Sequence, residues 1–153
     1  MLRVLRALDV QGVRYVLIGA AAMGIHGVVR ATEDLDLMID ATADNIERLR
    51  AALLSVYDND ANINQIATDD LLGDYPAVRY FPPSGDLYFD ILTRLGEAAN
   101  YETVEKEIKI VAGVNVTVAT PLALYRLKKD TLRPLDHADA AALRTRFDLE
   151  NER

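Results

Sequence analysis

Two aspartates separated by one residue, Asp34 and Asp36, have the type and spacing of residues that hold a metal ion. Residues 34–39 read DLDLMI, and this alternation of acidic and apolar residues predicts a half-exposed strand. Side chains alternate along a strand, so both carboxylates should lie on one face while Leu35 and Leu37 face the core. Adjacent carboxylates repel each other, and a divalent cation such as Mg²⁺ removes that conflict. The pair therefore predicts a metal site.

A third carboxylate is expected from Asp90, which lies inside the apolar segment LYFDIL at residues 87–92. A lone acid at a half-buried strand position costs free energy unless something pairs with it. Asp90 would hold a second metal ion or accept the proton of an attacking hydroxyl. Single aspartates and Asp-x-Asp pairs are also common on exposed strands, so their sequence context has to support this interpretation.

The segment before the acidic pair has the features of a phosphate-binding unit. Residues 13–18 are an apolar run that predicts a buried strand, Gly19 ends it, and the Ala-rich residues 20–27 predict a helix. A glycine directly after a strand lets the backbone approach a phosphate, and a helix N-terminus offers N–H donors. Phosphate donors and metal-binding carboxylates would then belong to one strand–helix–strand unit.

The remaining pattern predicts one mixed α/β domain spanning residues 1–153 with a helical C-terminal end. Further strands are expected at residues 63–67 and 78–81, and residues 108–112 with 114–119 predict a hairpin around Gly113. Helices are also expected at residues 2–8, at residues 69–72 and after a capping box of Asp44 and Glu47. Two more helices are expected at the C-terminal end, on either side of Arg133-Pro134, and the first of these two begins at Thr120-Pro121.

Composition excludes several kinds of site. The chain has no cysteine and two histidines, so a disulfide framework, a thiolate zinc site and a cysteine nucleophile are excluded, and hard oxygen ligands remain. The net charge of −7 argues against non-specific nucleic-acid binding over the whole surface. No apolar run reaches the ~18 residues of a membrane span, so the expected location is the cytoplasm. Basic residues nevertheless concentrate near the C-terminus, at Arg126, Lys128, Lys129, Arg133, Arg144 and Arg146.

These motifs resemble the nucleotidyltransferase superfamily, and within it the small bacterial AbiEii-like and minimal nucleotidyltransferase proteins. The family pattern is a Gly-Gly or Gly-Ser turn, a helix, Asp-x-Asp on the next strand and a third Asp on a later strand. The resemblance implies a polymerase beta-like fold, a mixed sheet flanked by helices. The matching segments here are Ile18-Gly19-Ala20, His26-Gly27, Arg30-Ala31-Thr32-Glu33-Asp34-Leu35-Asp36, Asp90, Leu127-Lys128-Lys129-Asp130 and residues 136–143.

The resemblance implies roles for the acids and for the turn. Asp34, Asp36 and Asp90 would bind two Mg²⁺ ions that bridge the triphosphate of an NTP, and Asp90 would help to activate the acceptor hydroxyl. Gly19 and Ala20 would contact phosphate through backbone N–H groups. Ala20 departs from the family's Gly or Ser and supplies no hydroxyl, which predicts weaker phosphate binding.

Basic residues are expected to offset the charge of the leaving pyrophosphate. Lys128 or Lys129 is the first choice and Arg30 the next, although each could equally be a solvated surface charge. Thr32 belongs to the nucleotide-binding set that the resemblance implies, and it would either orient the acidic strand by hydrogen bonding or simply favour a strand conformation. His26 is expected to pack near the turn, bonded to backbone.

The leading hypothesis is transfer of an NMP from an NTP to a hydroxyl on a protein, a tRNA end or a small molecule. The enzyme could belong to a toxin–antitoxin or defence pair, held in check by a cognate antitoxin, or complete its site as a homodimer. The alternative is a catalytically degenerate fold that binds a nucleotide or a partner, and Ala20 is the residue in its favour. An aminoglycoside-type adenylyltransferase is disfavoured because 153 residues leave little room for a helical acceptor domain.

Overall fold

The structure is a computed structural model that describes residues 1–28, 34–73, 76–85, 87–96, 99–129 and 134–149. These residues form a mixed α+β fold with a six-stranded sheet and a separate pair of two-residue strands. Within the described ranges, no helix combines the length and the apolar character that a membrane crossing requires.

Six α-helices are present among the described residues, and they pack apolar side chains into the core. The first of them buries Val4, Leu5 and Leu8, which follow the spacing of a single helix face. A short 3-10 helix follows the third α-helix. The bounds are α1 Leu2–Val10, α2 Gly19–Ile25, α3 Ala43–Val56, the 3-10 helix Ala61–Gln65, α4 Thr68–Leu72, α5 Pro121–Lys129 and α6 Pro134–Phe147.

The main sheet has the strand order β3-β4-β2-β1-β8-β7 and is mixed. The β1–β8 and β2–β4 pairs are parallel, and the other pairs are antiparallel. Strands β5 and β6 form the separate pair. The bounds are β1 Tyr15–Ile18, β2 Asp34–Ile39, β3 Ala77–Tyr80, β4 Tyr88–Leu92, β5 Arg94–Leu95, β6 Ala99–Asn100, β7 Lys106–Val111 and β8 Val114–Ala119.

One face of this sheet forms the main core. Leu35 and Leu37 on β2 are fully buried, as are Phe89 and Ile91 beside them on β4. Helix α1 packs against α3 and β8. The alternation of DLDLMI therefore works as predicted, because burying the leucines turns Asp34 and Asp36 to the opposite face.

Two local predictions are wrong. Residues 63–67 do not form a strand, because Ala61–Gln65 is a 3-10 helix that the Asp60 side chain caps. Ile63 in this helix and Ile66, which caps its C-terminus, are both buried and lie three residues apart, which is a helical spacing. Helix α3 begins at Ala43, two residues earlier than a capping box with Asp44 as the N-cap would place it, because Thr42 is the N-cap and its hydroxyl accepts the Asn45 N–H.

Other local predictions are confirmed. β7 and β8 form the expected hairpin, and the Thr120 hydroxyl accepts the Ala123 N–H at the start of α5. Helix α4 matches the helix predicted at residues 69–72. The β5–β6 pair was not predicted, because two residues per strand leave no periodicity to detect. The predicted break at Arg133-Pro134 partly lies outside the described residues, and α6 begins at Pro134.

Candidate active site

Parallel pairing of β2 with β4 brings the three aspartates together. The register places Asp36 directly beside Asp90, and Asp34 lies two residues earlier on the same face of β2. One carboxylate oxygen of each residue lies within 4.8 Å of the other two. Each side chain is half-buried, so the cluster faces the surface without being fully hydrated. Three converging hard oxygen ligands are the donor set that Mg²⁺ and Mn²⁺ prefer.

Asp36 is the carboxyl most perturbed by this arrangement. Burial, followed by the nearby charges of Asp34 and Asp90, raises the pKa of Asp36 from 3.8 to about 7. Hydrogen bonds from its protonated carboxyl to the same two residues act in the same direction. Near neutral pH the cluster is therefore relieved of one negative charge by a proton, and a divalent cation would have to displace that proton.

Binding of Mn²⁺ to the cluster is expected to tighten about tenfold between pH 6 and pH 8, because one proton leaves Asp36 for each ion bound below its pKa. The affinity falls as the pH falls through the folded-state pKa. Titration monitored by electron paramagnetic resonance, with EGTA as a reference at each pH, measures the change. Equal affinities at both pH values would contradict the assigned proton.

Gly19 lies against the cluster where β1 meets α2. Its φ is +73°, and a Cβ at this position would collide with the Asp36 carboxylate. The neighbouring strand residue Ile18 pairs with Asp36 across the β1–β2 ladder. Glycine is therefore required here by the left-handed backbone and by the proximity of a carboxylate. Ala20 follows in the first turn of α2 and is half-buried.

A cleft of about 420 Å³ adjoins the aspartates. Strands β1 to β4 supply one side of it, and residues of β5, α5 and α6 complete it. Apolar side chains line part of the cleft, including Leu92 and Leu124. The polar and glycine residues that line it are Gly19, Asp36, Asp90, Arg94, Lys128 and Asp136.

Lys128 lines this cleft and is held by two acids of α6. Its Nζ lies 2.8 Å from Asp139 Oδ2 and 3.3 Å from Asp136 Oδ1. The three side chains are nearly buried, with exposed fractions of 13% for Lys128, 6% for Asp139 and 11% for Asp136. The ammonium therefore links α5 to α6 at the border of the cleft, with its charge balanced by the two carboxylates.

The other predicted basic and polar residues that the structure describes do not line the cleft beside the aspartates. Lys129 lies 5.8 Å from the ring centre of Tyr125 and lines a separate groove with Arg144. His26 is buried, and its Nε2 lies 2.7 Å from the carbonyl oxygen of Ala119, as expected for a residue bonded to backbone. Arg30 and Thr32 lie outside the described residues.

Two arginines near the aspartates were not predicted. Arg79 on β3 pairs with Asp90 across the ladder, and its Nε and Nη2 lie 2.7 Å and 3.3 Å from the two carboxylate oxygens. The same guanidinium lies 5.1 Å from the ring centre of Tyr88. Arg94 is exposed and lines the cleft just after β4. The predicted strands around residues 82–86 would have indicated Arg79, because antiparallel pairing across that turn places it near Asp90.

The Arg79→Ala variant is expected to bind divalent cations several-fold more tightly in the absence of nucleotide. Without the guanidinium, no positive charge neutralises the Asp90 carboxylate, and a cation does not have to displace an ion pair in order to bind. Mn²⁺ titration monitored by electron paramagnetic resonance measures this effect. Arg48→Ala, which removes an exposed arginine from a different ion pair, is the control. Equal affinities in wild type and Arg79→Ala would show that the arginine does not compete with the metal.

Comparisons with known proteins identify the fold. No protein-family model matches the sequence, and a search of curated proteins gives no match. Among solved structures, the chain is similar to the crystal structure of the aminoglycoside nucleotidyltransferase ANT(2'')-Ia in complex with adenylyl-2''-tobramycin. The TM-score is 0.55 at 17% identity, and the match covers 97% of this chain and 88% of that one. The similarity confirms the nucleotidyltransferase fold predicted from the sequence.

Proposed function

We propose that this protein is a magnesium-dependent nucleotidyltransferase that moves an NMP from an NTP to a hydroxyl acceptor. The observation that carries the proposal is the cluster of Asp34, Asp36 and Asp90 at the edge of the cleft. A fold has no stability reason to converge three carboxylates, whereas a metal–triphosphate complex requires them. The fold similarity to ANT(2'')-Ia, whose crystal contains an adenylylated product, supports the same chemistry.

Each of the three aspartates would have a defined role in such a reaction. Asp34 and Asp36 would hold Mg²⁺, with Asp90 completing a second metal position. Magnesium held by these carboxylates would offset the charge of the triphosphate and would acidify the acceptor hydroxyl. Asp90 accepts the hydroxyl proton while the acceptor oxygen forms a bond to the α-phosphorus and the bond to pyrophosphate breaks.

Two cationic side chains that line the cleft could offset the charge of the leaving group. Lys128 and Arg94 line the cleft with Asp36 and Asp90, so either cation can offset charge on the leaving pyrophosphate. Gly19 leaves its backbone accessible beside Asp36, where a side chain would fill the space. Lys129 lines a different groove, so we assign the role of cation in the cleft to Lys128.

A small hydroxylated molecule is the favoured acceptor class. The size argument against an aminoglycoside-type enzyme loses its force, because this chain covers 88% of ANT(2'')-Ia. The net charge of −7 favours a cationic acceptor over tRNA. Membership of the AbiEii-like group, and a role in a toxin–antitoxin pair, are finer hypotheses that a test with a cognate partner protein would address.

Calorimetric titration with each NTP in Mg²⁺ tests the proposal directly. Wild type is expected to bind at least one NTP only when the metal is present, and the double variant Asp34→Ala/Asp36→Ala is expected to lose that binding. Asp69→Ala/Asp70→Ala, which removes two exposed acids from α4, is the matched control and should bind as wild type does. Folded wild type that binds no NTP would overturn the proposal.

Turnover separates an enzyme from a degenerate binding module, the alternative that Ala20 favours. Transfer of label from α-labelled ATP to a panel of aminoglycosides, with pyrophosphate release as a second readout, measures it. Binding of magnesium–ATP without either signal would favour the binding module. Gain of signal in Ala20→Ser would then identify the missing hydroxyl as the cause.

A further inference from the structure

Strand β7 is an edge of the six-stranded sheet and pairs on one side only, with β8. The strand carries two of the most exposed large apolar side chains among the described residues. Ile108 is 67% exposed and Ile110 is 75% exposed. Exposed apolar side chains along an unpaired edge favour pairing with another strand, and proteins usually cover or interrupt such edges.

The hairpin turn fixes which backbone groups of β7 point away from the sheet. Ala112 and Gly113 form a two-residue turn with φ values of +49° and +79°, so Val111 and Val114 are the hydrogen-bonded pair that flanks it. Pairs alternate along an antiparallel ladder. The N–H and C=O groups of Ile108 and Ile110, and of Lys106 before them, therefore point outward from the sheet.

These outward groups have no backbone partner elsewhere among the residues that the structure describes. Ile108 thus presents one donor and one acceptor in the plane of the sheet, with an apolar side chain above them. This geometry fits one more strand, and the sequence of β7 determines which strand fits.

We infer that β7 pairs antiparallel with β7 of a second copy of this chain, about a two-fold axis at Ile108. Glu107 and Lys109 already form an ion pair within β7, with Nζ 3.4 Å from Oε1, and this register adds two ion pairs across the axis by placing each of them opposite the other residue of the second copy. Ile108 then faces Ile108 of the second copy, with Ile110 diagonal to it on the same sheet face. The six-stranded sheets of the two copies become one continuous sheet.

Other two-fold registers are less favourable. Centring the axis on Glu107 places two glutamates opposite each other, and centring it on Lys109 places two lysines opposite each other. An axis at Ile110 pairs Lys109 with Val111 and loses both ion pairs. The order Lys-Glu-Ile-Lys-Ile in β7 is therefore self-complementary about Ile108.

The backbone pattern supports the same centre. With the axis at Ile108, the outward groups of Ile108 meet those of Ile108 in the second copy and exchange two hydrogen bonds. Glu107 and Lys109 then occupy non-hydrogen-bonded positions, where opposing side chains are closest. One pair of edge strands covers less area than a standard interface, so the dimer is expected to dissociate on dilution.

Sedimentation velocity of the full chain over a wide concentration range tests the inference. Wild type is expected to shift from monomer to dimer as the concentration rises. The single variants Glu107→Lys and Lys109→Glu should weaken the dimer, and the double variant that exchanges the two charges should restore it. Phe81→Lys, which removes an exposed apolar side chain beyond β3, is the control and should not change the dimer.

The Ile108→Pro variant tests whether the dimer forms through the β7 edge or through another surface. The Ile108 N–H points away from β8, so proline should leave the fold intact while removing the central donor of the dimer. Thermal unfolding checks the fold. Wild type that stays monomeric at every concentration would overturn the inference and identify Lys106 and Lys109 as protection of a solvent-exposed edge. A dimer insensitive to Ile108→Pro and to the charge variants would also overturn it.

Discussion

Replacing Asp36 with asparagine is expected to abolish metal-dependent nucleotide binding and to stabilise the metal-free protein. Asparagine keeps the shape of the side chain but removes a central ligand of the cluster. Changes in residues that only support metal ligands cost about 10–100-fold in affinity, so loss of a ligand should cost at least about 100-fold. Stabilisation by about 0.5–2 kcal/mol is expected, as is common when strain at a functional site is relieved.

The stability change has a defined pH dependence. The pKa of Asp36 is about 7 when folded and near 3.8 when unfolded, so between these values the folded state holds a proton that the unfolded state lacks. The contribution of Asp36 to the free energy of unfolding is therefore largest below pH 4. It is lost as the pH rises to about 7, and Asp36→Asn should not share this loss.

Urea unfolding in EDTA at pH 5 and at pH 8 measures the difference between wild type and Asp36→Asn. The advantage of the variant should be larger at pH 8. Asp40→Asn is the matched control, because Asp40 follows the same strand but pairs with Arg14, and its loss should destabilise slightly. An Asp36→Asn variant that is less stable than wild type at pH 8 would contradict the proposed repulsion.

Replacing Lys128 with methionine is expected to destabilise the protein by about 3–5 kcal/mol, because breaking a buried ion pair leaves an uncompensated charge. Asp136 and Asp139 would lose the ammonium that lies between them, and both are nearly buried. These contacts join α5 to α6, so the loss should loosen the helical side of the cleft. The cation assigned to the leaving group would be lost with it.

Urea unfolding of Lys128→Met and of Lys129→Met, compared with wild type, shows whether the destabilisation is specific to Lys128 or follows from removing a lysine of α5 in general. Lys129 is the next residue of α5 and lies over an aromatic ring, so its replacement should change stability by less than about 1 kcal/mol. Adding Asp136→Asn and Asp139→Asn to Lys128→Met should recover part of the loss. Similar unfolding curves for the two lysine variants would contradict the role of Lys128.

Much of the local structure followed from the sequence, because side-chain periodicity is a local property. The alternation of DLDLMI predicted β2 at its observed bounds, Asp34–Ile39, and the side of the strand that the acids occupy. Thr120-Pro121 predicted the start of α5, and Gly113 predicted the β7–β8 turn. The polar stretch after α3 was misjudged, because Ile63 and Ile66 are too few to distinguish a 3-10 turn from a strand.

The family resemblance of the motifs indicated relations between distant residues, which periodicity cannot do. The position of Asp90 inside an apolar strand had already made it the candidate third carboxylate, and the resemblance grouped it with Asp34 and Asp36, although more than fifty residues separate them in the sequence. It also indicated Lys128, which lies in the cleft, and Lys129, which lines a different groove. A motif gives the order of residues along the chain, and adjacent lysines of a helix point in different directions.

Only the tertiary structure decided which charged groups meet. The parallel register of β2 with β4 places Asp36 beside Asp90, and the β3–β4 ladder then places Arg79 on Asp90. The packing of α6 on α5 sets Asp139 against Lys128. Strand order and helix packing depend on contacts between distant segments, so no local pattern determines them. The sequence by itself determined which carboxylates share a face, and the fold determined their partners.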